Sequence, residues 1–267
     1  MPVYQAIILG IVQGLTEFLP ISSSAHLNLF PWVLGWGEMP TSFDVALHIG
    51  TLFAIVIFFF KDWIKLFIGG YKQVVKKEKT TEGKIFWYLV ISTIPAGILS
   101  LVLDKISNKL FENNLNLEMV VIAITLIVMG IILYIVDKKA KSKTKYEDIT
   151  LKQSVAIGTS QALAAAFPGV SRSGITMTVA RALGIDRESA AKYSFLLATP
   201  ITAAAVIFDL KDFVFTDLSL WLGILSSFVV GIIIIKFLLE YLKKGSFKVF
   251  AIYRVLIGIA VILLAVL

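Results

Sequence analysis

The 267-residue sequence predicts an all-α polytopic membrane protein, with six transmembrane helices and two re-entrant helix pairs arranged as an inverted-topology repeat. Three observations carry that prediction. Hydrophobic residues make up 58% of the chain and the mean hydropathy is +0.87, far above the values of soluble domains. Six apolar stretches each approach the roughly twenty residues that a bilayer core requires. Two more are interrupted midway, one by Pro20 and one by Pro168-Gly169.

In chain order, the first interrupted region covers residues 3–38. It reads as a re-entrant pair, because broken backbone at membrane depth is tolerated only where protein buries it or a cavity adjoins it. Spans follow at 44–60, 85–103 and 118–136, which complete repeat one, residues 1–137. Thr41 to Asp44 resembles a capping box ahead of the first span. Repeat two, residues 149–267, opens with the second re-entrant region at 152–184 and continues with spans at 190–208, 218–240 and 247–267. Asp186 is placed to cap the helix that carries Lys192. Trp32, Trp36, Trp63, Trp87 and Trp221 fall near span ends, where interfacial anchors belong. All of this forms one integral membrane domain.

Charge sets the orientation. The net charge is +7, yet the basic residues are confined to particular regions, so lipid surfaces rather than nucleic acid are the expected partner. Seven lysines lie in 61–84 and six in 137–152; Arg181, Arg187 and Lys192 form a third group, and Lys236 to Arg254 a fourth. The positive-inside rule makes these four regions cytoplasmic and both termini external. The first re-entrant pair then enters from outside and the second from the cytoplasm. The absence of cysteine excludes disulfides and thiolate chemistry, and two histidines make no zinc cluster. The N-terminus lacks a basic segment and contains Glu17, so it does not read as a cleaved signal peptide.

An internal repeat supports the topology. A shift of 148 residues superposes Gln5 on Gln153, Gly10 on Gly158, Gln13 on Gln161, Leu15 on Leu163, Pro20 on Pro168 and Ser23 on Ser171. After a slip of two, Ile57, Phe58, Lys61 and Asp62 meet Ile207, Phe208, Lys211 and Asp212. One broken segment followed by three spans puts the halves in opposite orientation, which brings the broken helices tip to tip where substrate sites form.

Two polar clusters sit inside these broken segments, and ionisable groups within apolar spans are functional candidates by default. QGLTEFLPISSSAHL, residues 13–27, holds Gln13, Glu17, Ser22, Ser23, Ser24 and His26. Gln13 and Glu17 share one helical face. A hydroxyl beside an imidazole and a carboxylate supplies a nucleophile and proton handling. PGVSRSG, residues 168–174, sets Arg172 between Ser171 and Ser173, with Gly169 and Gly174 allowing backbone N–H groups close to an anion. His48 lies on one face with Asp44 and Thr51, where an interior hydrogen bond and a catalytic role are both open.

The two segments resemble the signature motifs of the undecaprenyl-diphosphate phosphatase family, bacterial inner-membrane enzymes of the bacitracin-resistance type. FDVALHIGTLFAIVIFF, STIPAGI and AAKYSFLLATPITAAA are similar to that family in order and spacing, so the resemblance covers nearly the whole chain. It implies hydrolysis of a C55 polyprenyl diphosphate to the monophosphate carrier used in cell-wall synthesis, with a divalent cation as cofactor, Mg²⁺ or Ca²⁺. It further implies that Glu17 is the second acid of an acid-rich motif, that Ser23 and His26 are its hydroxyl and imidazole, and that Arg172 clamps the diphosphate. Many members have glutamate where this chain has Gln13, so Glu17 is expected to carry most of the metal contact. Gln13, Ser22, Ser24, Gly169, Ser171 and Ser173 are expected to line the substrate. Attack by Ser23, attack by His26 and attack by activated water all stay open. The prenyl tail would lie among helices toward lipid, and the site would face outward. Apolar helix faces permit a homodimer. The competing class is a secondary transporter or flippase for an anionic or polyprenyl phosphate substrate, which shares the inverted repeat but needs no nucleophile.

Overall fold

Proline and left-handed backbone divide the apolar runs, and the computed structural model, which describes residues 1–37, 39–111, 114–209 and 216–266, shows where each division falls. Among these residues the regular structure is helical. Helix α1 (Val3–Thr16) and α2 (Ser23–Leu34) flank the turn that contains Pro20, and α2 ends on Gly35 with φ of 64°. Helix α3 (Thr41–Phe58) continues into α4 (Phe60–Tyr71) and a π-helical turn, Lys72–Lys76, after a 73° bend at Phe59. Helices α5 (Thr81–Phe111) and α6 (Leu115–Lys139) complete the first half. The second half holds α7 (Leu151–Ser160), α8 (Ala162–Ala166), α9 (Arg172–Ala182), α10 (Arg187–Asp209), α11 (Leu218–Leu242) and α12 (Lys248–Val266).

The expected spans are recovered as helices with shifted ends. Four of them, α5, α6, α10 and α11, are long and apolar enough to cross a membrane, and the bent pair α3–α4 makes a fifth if it counts as one span. Helix α5 outruns the expected 85–103 at both ends. The second broken region contains three helices, because a further break falls at Gln161. Asp186 caps α10 as expected, accepting from the Ser189 N–H at 2.9 Å. The capping box expected from Thr41 is not the start of α3: the N-cap is Pro40, whose φ of −59° suits a helix entry and which has no side-chain cap to offer. Lys211 and Asp212, used in the repeat alignment, lie outside the described residues.

The halves exchange their broken helices. Helix α1 packs along α11, while α7 and α8 pack along α5. Both contacts depend on glycine at the crossing. A Cβ on Gly14 would fall 2.7 Å from the Ser227 carbonyl oxygen, and one on Gly158 would fall 2.7 Å from that of Ser92. Helices α6 and α12 form a second close pair, and α10 sits against α3 and α9. Phe18, in the first turn, meets Phe195 of α10 edge-on at 5.3 Å, so the turn is seated in the main apolar core. At one end Asp137 gathers Arg181 at 2.8 Å, Arg187 at 2.9 Å and the Phe247 N–H at 3.2 Å, joining α6, α9, α10 and the residue that precedes α12. The outer faces of α5, α11 and α12 expose large apolar side chains such as Ile98, Leu101, Phe237 and Leu256, as lipid-facing helices do. The protein is a multi-pass membrane protein.

Candidate active site

Two serines create matching turns. Ser22 has φ of 76° and Ser171 has φ of 71°, a region in which a residue with a Cβ is held at a cost of about 1–3 kcal/mol. Each is the N-cap of the helix that follows. Ser22 Oγ accepts from the Ala25 N–H at 3.4 Å and Ser171 Oγ accepts from the Gly174 N–H at 3.0 Å. Each also pairs with the serine two residues on, Ser24 at 3.2 Å and Ser173 at 3.3 Å. The matching backbone therefore sets Ser22 with Ser171. The sequence alignment had set Ser23 with Ser171; Gly169 accounts for the offset, because it adds one residue between the proline and the cap in the second turn.

Arg254 of α12 ties the turns together. Its Nη1 donates to the Pro20 carbonyl at 3.2 Å, and its Nη2 donates to those of Gly169 at 2.9 Å and Val170 at 3.0 Å. The side chain is wholly buried. Thr125 Oγ1 adds a bond to the Pro168 carbonyl at 2.6 Å. Gly169, expected to let backbone N–H groups approach an anion, has φ of 90° and a carbonyl that Arg254 holds.

With the caps so fixed, Ser23 and Arg172 are the first residues of α2 and α9, and both reach Glu17. Ser23 Oγ donates to Glu17 Oε2 at 2.6 Å, and Arg172 Nη2 donates to Oε1. Ser173 Oγ donates to the Glu17 and Leu19 carbonyls at 3.0 and 3.2 Å, which locks the backbone around the acid. Gln13 Nε2 donates to Glu17 Oε2 at 3.2 Å. The Glu17 side chain is 9% exposed and that of Arg172 21%, so the pair stands at the edge of the buried interior. Glu17 and Asp44 balance the guanidinium groups of Arg172 and Arg254, and the two helix N-termini add the partial positive charge that suits an anion.

The two histidines divide differently from expectation. His26, expected beside Ser23, donates from Nδ1 to the Ser22 carbonyl at 2.7 Å and accepts at Nε2 from the Tyr253 hydroxyl at 2.8 Å. The rings of His26 and Tyr253 stack at 5.6 Å. Both ring nitrogens are thus engaged, and none of the hydrogen bonds of His26 goes to Ser23 or Glu17. His48 occupies the position beside the acid: its Nδ1 donates to the Asp44 carbonyl at 2.9 Å, and its Nε2 lies 3.6 Å from Glu17 Oε2. The Ser22 carbonyl, one turn before His26, captures that imidazole, whereas α3 delivers His48 from the opposite side.

Two buried oxygen atoms beside the acid, Gln13 Oε1 and Asp44 Oδ1, are left without hydrogen-bond partners. Among the described residues no group of three or more His, Asp or Glu side chains is close enough to hold a metal ion alone. A site built from Glu17 and Gln13 would take its remaining oxygen ligands from phosphate and water, the usual habit of Mg²⁺. Ser24 is exposed at the mouth of the first turn.

Arg254 and Tyr253 stand outside both sequence motifs, and Arg254 and Arg181, which by sequence fall among the cytoplasmic loop charges, are both buried. The available signal was an arginine six residues inside an apolar helix.

Comparison with known proteins places the chain in a family. Residues 6–260 match the family described as bacitracin resistance protein BacA. An undecaprenyl-diphosphatase of Pelotomaculum thermopropionicum is 49% identical over 99% of this chain and 97% of its own. One from Moorella thermoacetica is 43% identical over 98% and 97%, and one from Myxococcus xanthus 38% identical over 99% and 89%. With paired serine-capped turns meeting at Glu17 and a match over nearly its full length, the chain belongs to the bacitracin resistance protein BacA family.

Proposed function

We propose that the protein hydrolyses undecaprenyl diphosphate to undecaprenyl phosphate and inorganic phosphate, which recycles the lipid carrier for cell-wall synthesis and gives bacitracin resistance. The observation that carries this reading is the convergence of Ser23, Arg172 and Glu17 from two helix N-termini, in a chain whose relatives are named for that reaction.

Ser23 is the nucleophile. Its hydroxyl already points its proton at Glu17 Oε2, so the carboxylate accepts that proton as Oγ forms a bond to the terminal phosphorus. The bond from that phosphorus to the bridging oxygen breaks, and the lipid monophosphate leaves. Arg172 and the N–H groups that open α2 and α9 neutralise charge on the phosphoryl oxygens. Water then attacks the phosphoserine, the proton returns to Ser23, and inorganic phosphate departs. His48 is the imidazole beside Glu17 and exchanges the proton with it; His26 is a positioning residue that holds the first turn of α2. Glu17 and Gln13 would hold Mg²⁺ or Ca²⁺. When bound, the cation supplies charge neutralisation on the diphosphate.

The finer topology, six spans and two re-entrant pairs in an inverted repeat, is supported by the matched turns at Ser22 and Ser171 and by the exchanged packing of α1 and of α7–α8. The lysine distribution supports a plasma-membrane orientation with the site facing outward.

The test is phosphate release from a C55 prenyl diphosphate by purified protein in detergent, with and without Mg²⁺ or Ca²⁺. Release is expected to need the cation and to fall about 10³-fold in Ser23→Ala and about 10²- to 10³-fold in Arg172→Ala. No release from folded protein would overturn the enzyme reading in favour of a transporter.

A further inference from the structure

Helix α4 and the π turn, Phe60 to Lys76, carry three separate stripes. Leu66, Gly69 and Gly70 are buried against α5, where Gly69 backs onto Gly83 and Gly70 onto Phe86. Asp62 joins that side through Lys192 at 2.7 Å. Ile64, Phe67, Ile68, Tyr71 and Val74 form an exposed apolar stripe. Lys61, Lys65, Lys72 and Lys76 form the third; at about 100° per residue the first three fall within a sector roughly 40° wide, and Lys76 follows about one π turn after Lys72. Among the described residues Lys61, Lys65 and Lys76 have no acidic partner, and Lys72 lies 3.9 Å from Glu78. The 73° bend turns this helix away from α3, and Phe59, buried at the bend against Phe195, wedges it there.

We propose that residues 60–76 form an in-plane helix at the rim of the bundle that binds anionic phospholipid headgroups through its lysine stripe. A helix lying in the interface meets three surroundings, and this one matches each: protein inward, acyl chains outward and phosphate above. The lysine stems run along apolar surface and lift their ammonium groups to the headgroups, where anionic lipid supplies the charge missing from the protein. The apolar stripe beside the lysines favours lipid over an acidic protein partner, which would leave Ile64, Phe67 and Tyr71 in water. The inference is independent of the proposed reaction.

The chain has no cysteine, so single spin labels can be placed cleanly. In vesicles of phosphatidylglycerol and phosphatidylcholine, labels at Ile64 and Tyr71 are expected to be accessible to oxygen and shielded from a polar nickel chelate, with the reverse at Lys65 and Lys76. Protein extracted from these vesicles is expected to retain phosphatidylglycerol over phosphatidylcholine by native mass spectrometry. Replacing all four lysines by glutamine should lower that preference about fivefold or more, whereas replacing all four by arginine should keep it. Equal chelate access at Ile64 and Lys65 would overturn the proposal. So would undiminished phosphatidylglycerol retention in the glutamine variant.

Discussion

At the scale of single residues, the site is organised by what each side chain has already bonded. Ser23 is committed to Glu17, so attack by Ser23 predicts a covalent phosphoserine: rapid quenching with labelled substrate should leave label on the protein, and none on Ser23→Ala. His26 and His48 separate by the same logic. His48→Gln is expected to lower kcat about ten- to a hundredfold at unchanged Tm, because it removes a proton partner of Glu17 from a partly exposed position. His26→Ala should lower both kcat and Tm, since it leaves the buried Ser22 carbonyl without a partner at about 1–3 kcal/mol and frees the half-buried Tyr253 hydroxyl. Kinetics and thermal unfolding on the two variants check this division. Gln13→Glu should add a second carboxylate beside Glu17 and lower the Mg²⁺ concentration that half-saturates activity, read from a metal titration. An undiminished requirement would remove Gln13 from the cation site.

At the scale of elements, the fold depends on ends rather than on helix interiors. Ser22 and Ser171 start α2 and α9 with strained backbone, and the strain persists because Arg254 holds the carbonyls of both turns at once. Removing that guanidinium leaves several buried carbonyls unpaired. Arg254→Met is therefore expected to abolish phosphate release and lower Tm while overall helicity by circular dichroism stays near the original, and Arg254→Lys should rescue little, because one ammonium cannot reach both turns as a fork does. Wild-type activity in Arg254→Met would show that the turns hold themselves. The sequence disclosed both broken segments through Pro20 and Pro168, which remove backbone donors and restrict φ. It did not disclose the register between the turns, since a one-residue insertion at Gly169 is invisible in a weak alignment. Nor did it disclose the role of Arg254: its place inside an apolar helix marks it as a candidate, but which carbonyls it holds depends on how α12 packs against the two turns.

At the scale of the whole molecule, topology can be read by labelling. Cysteines introduced at Gly37 and at Lys143 should react with a membrane-impermeant thiol reagent from opposite sides, Gly37 from outside intact cells and Lys143 only after permeabilisation. Labelling of both from one side would break the inverted arrangement. The sequence by itself determined the solvent of this protein and where its helices break: apolar runs of membrane length and two proline breaks, with Glu17, Ser23 and Arg172 as polar candidates inside the broken segments. Composition and periodicity carry that information because burial in lipid acts on every residue of a span. Only the tertiary structure decided which side chains meet. It put His48 rather than His26 beside Glu17 and bound both turns to Arg254, residues separated from them by 31 and by more than 80 positions respectively. Such contacts depend on how helices cross, here set by glycines at the close approaches of α1 with α11 and of α7 with α5, and no local property of the chain records the angle and register at which two helices lie together.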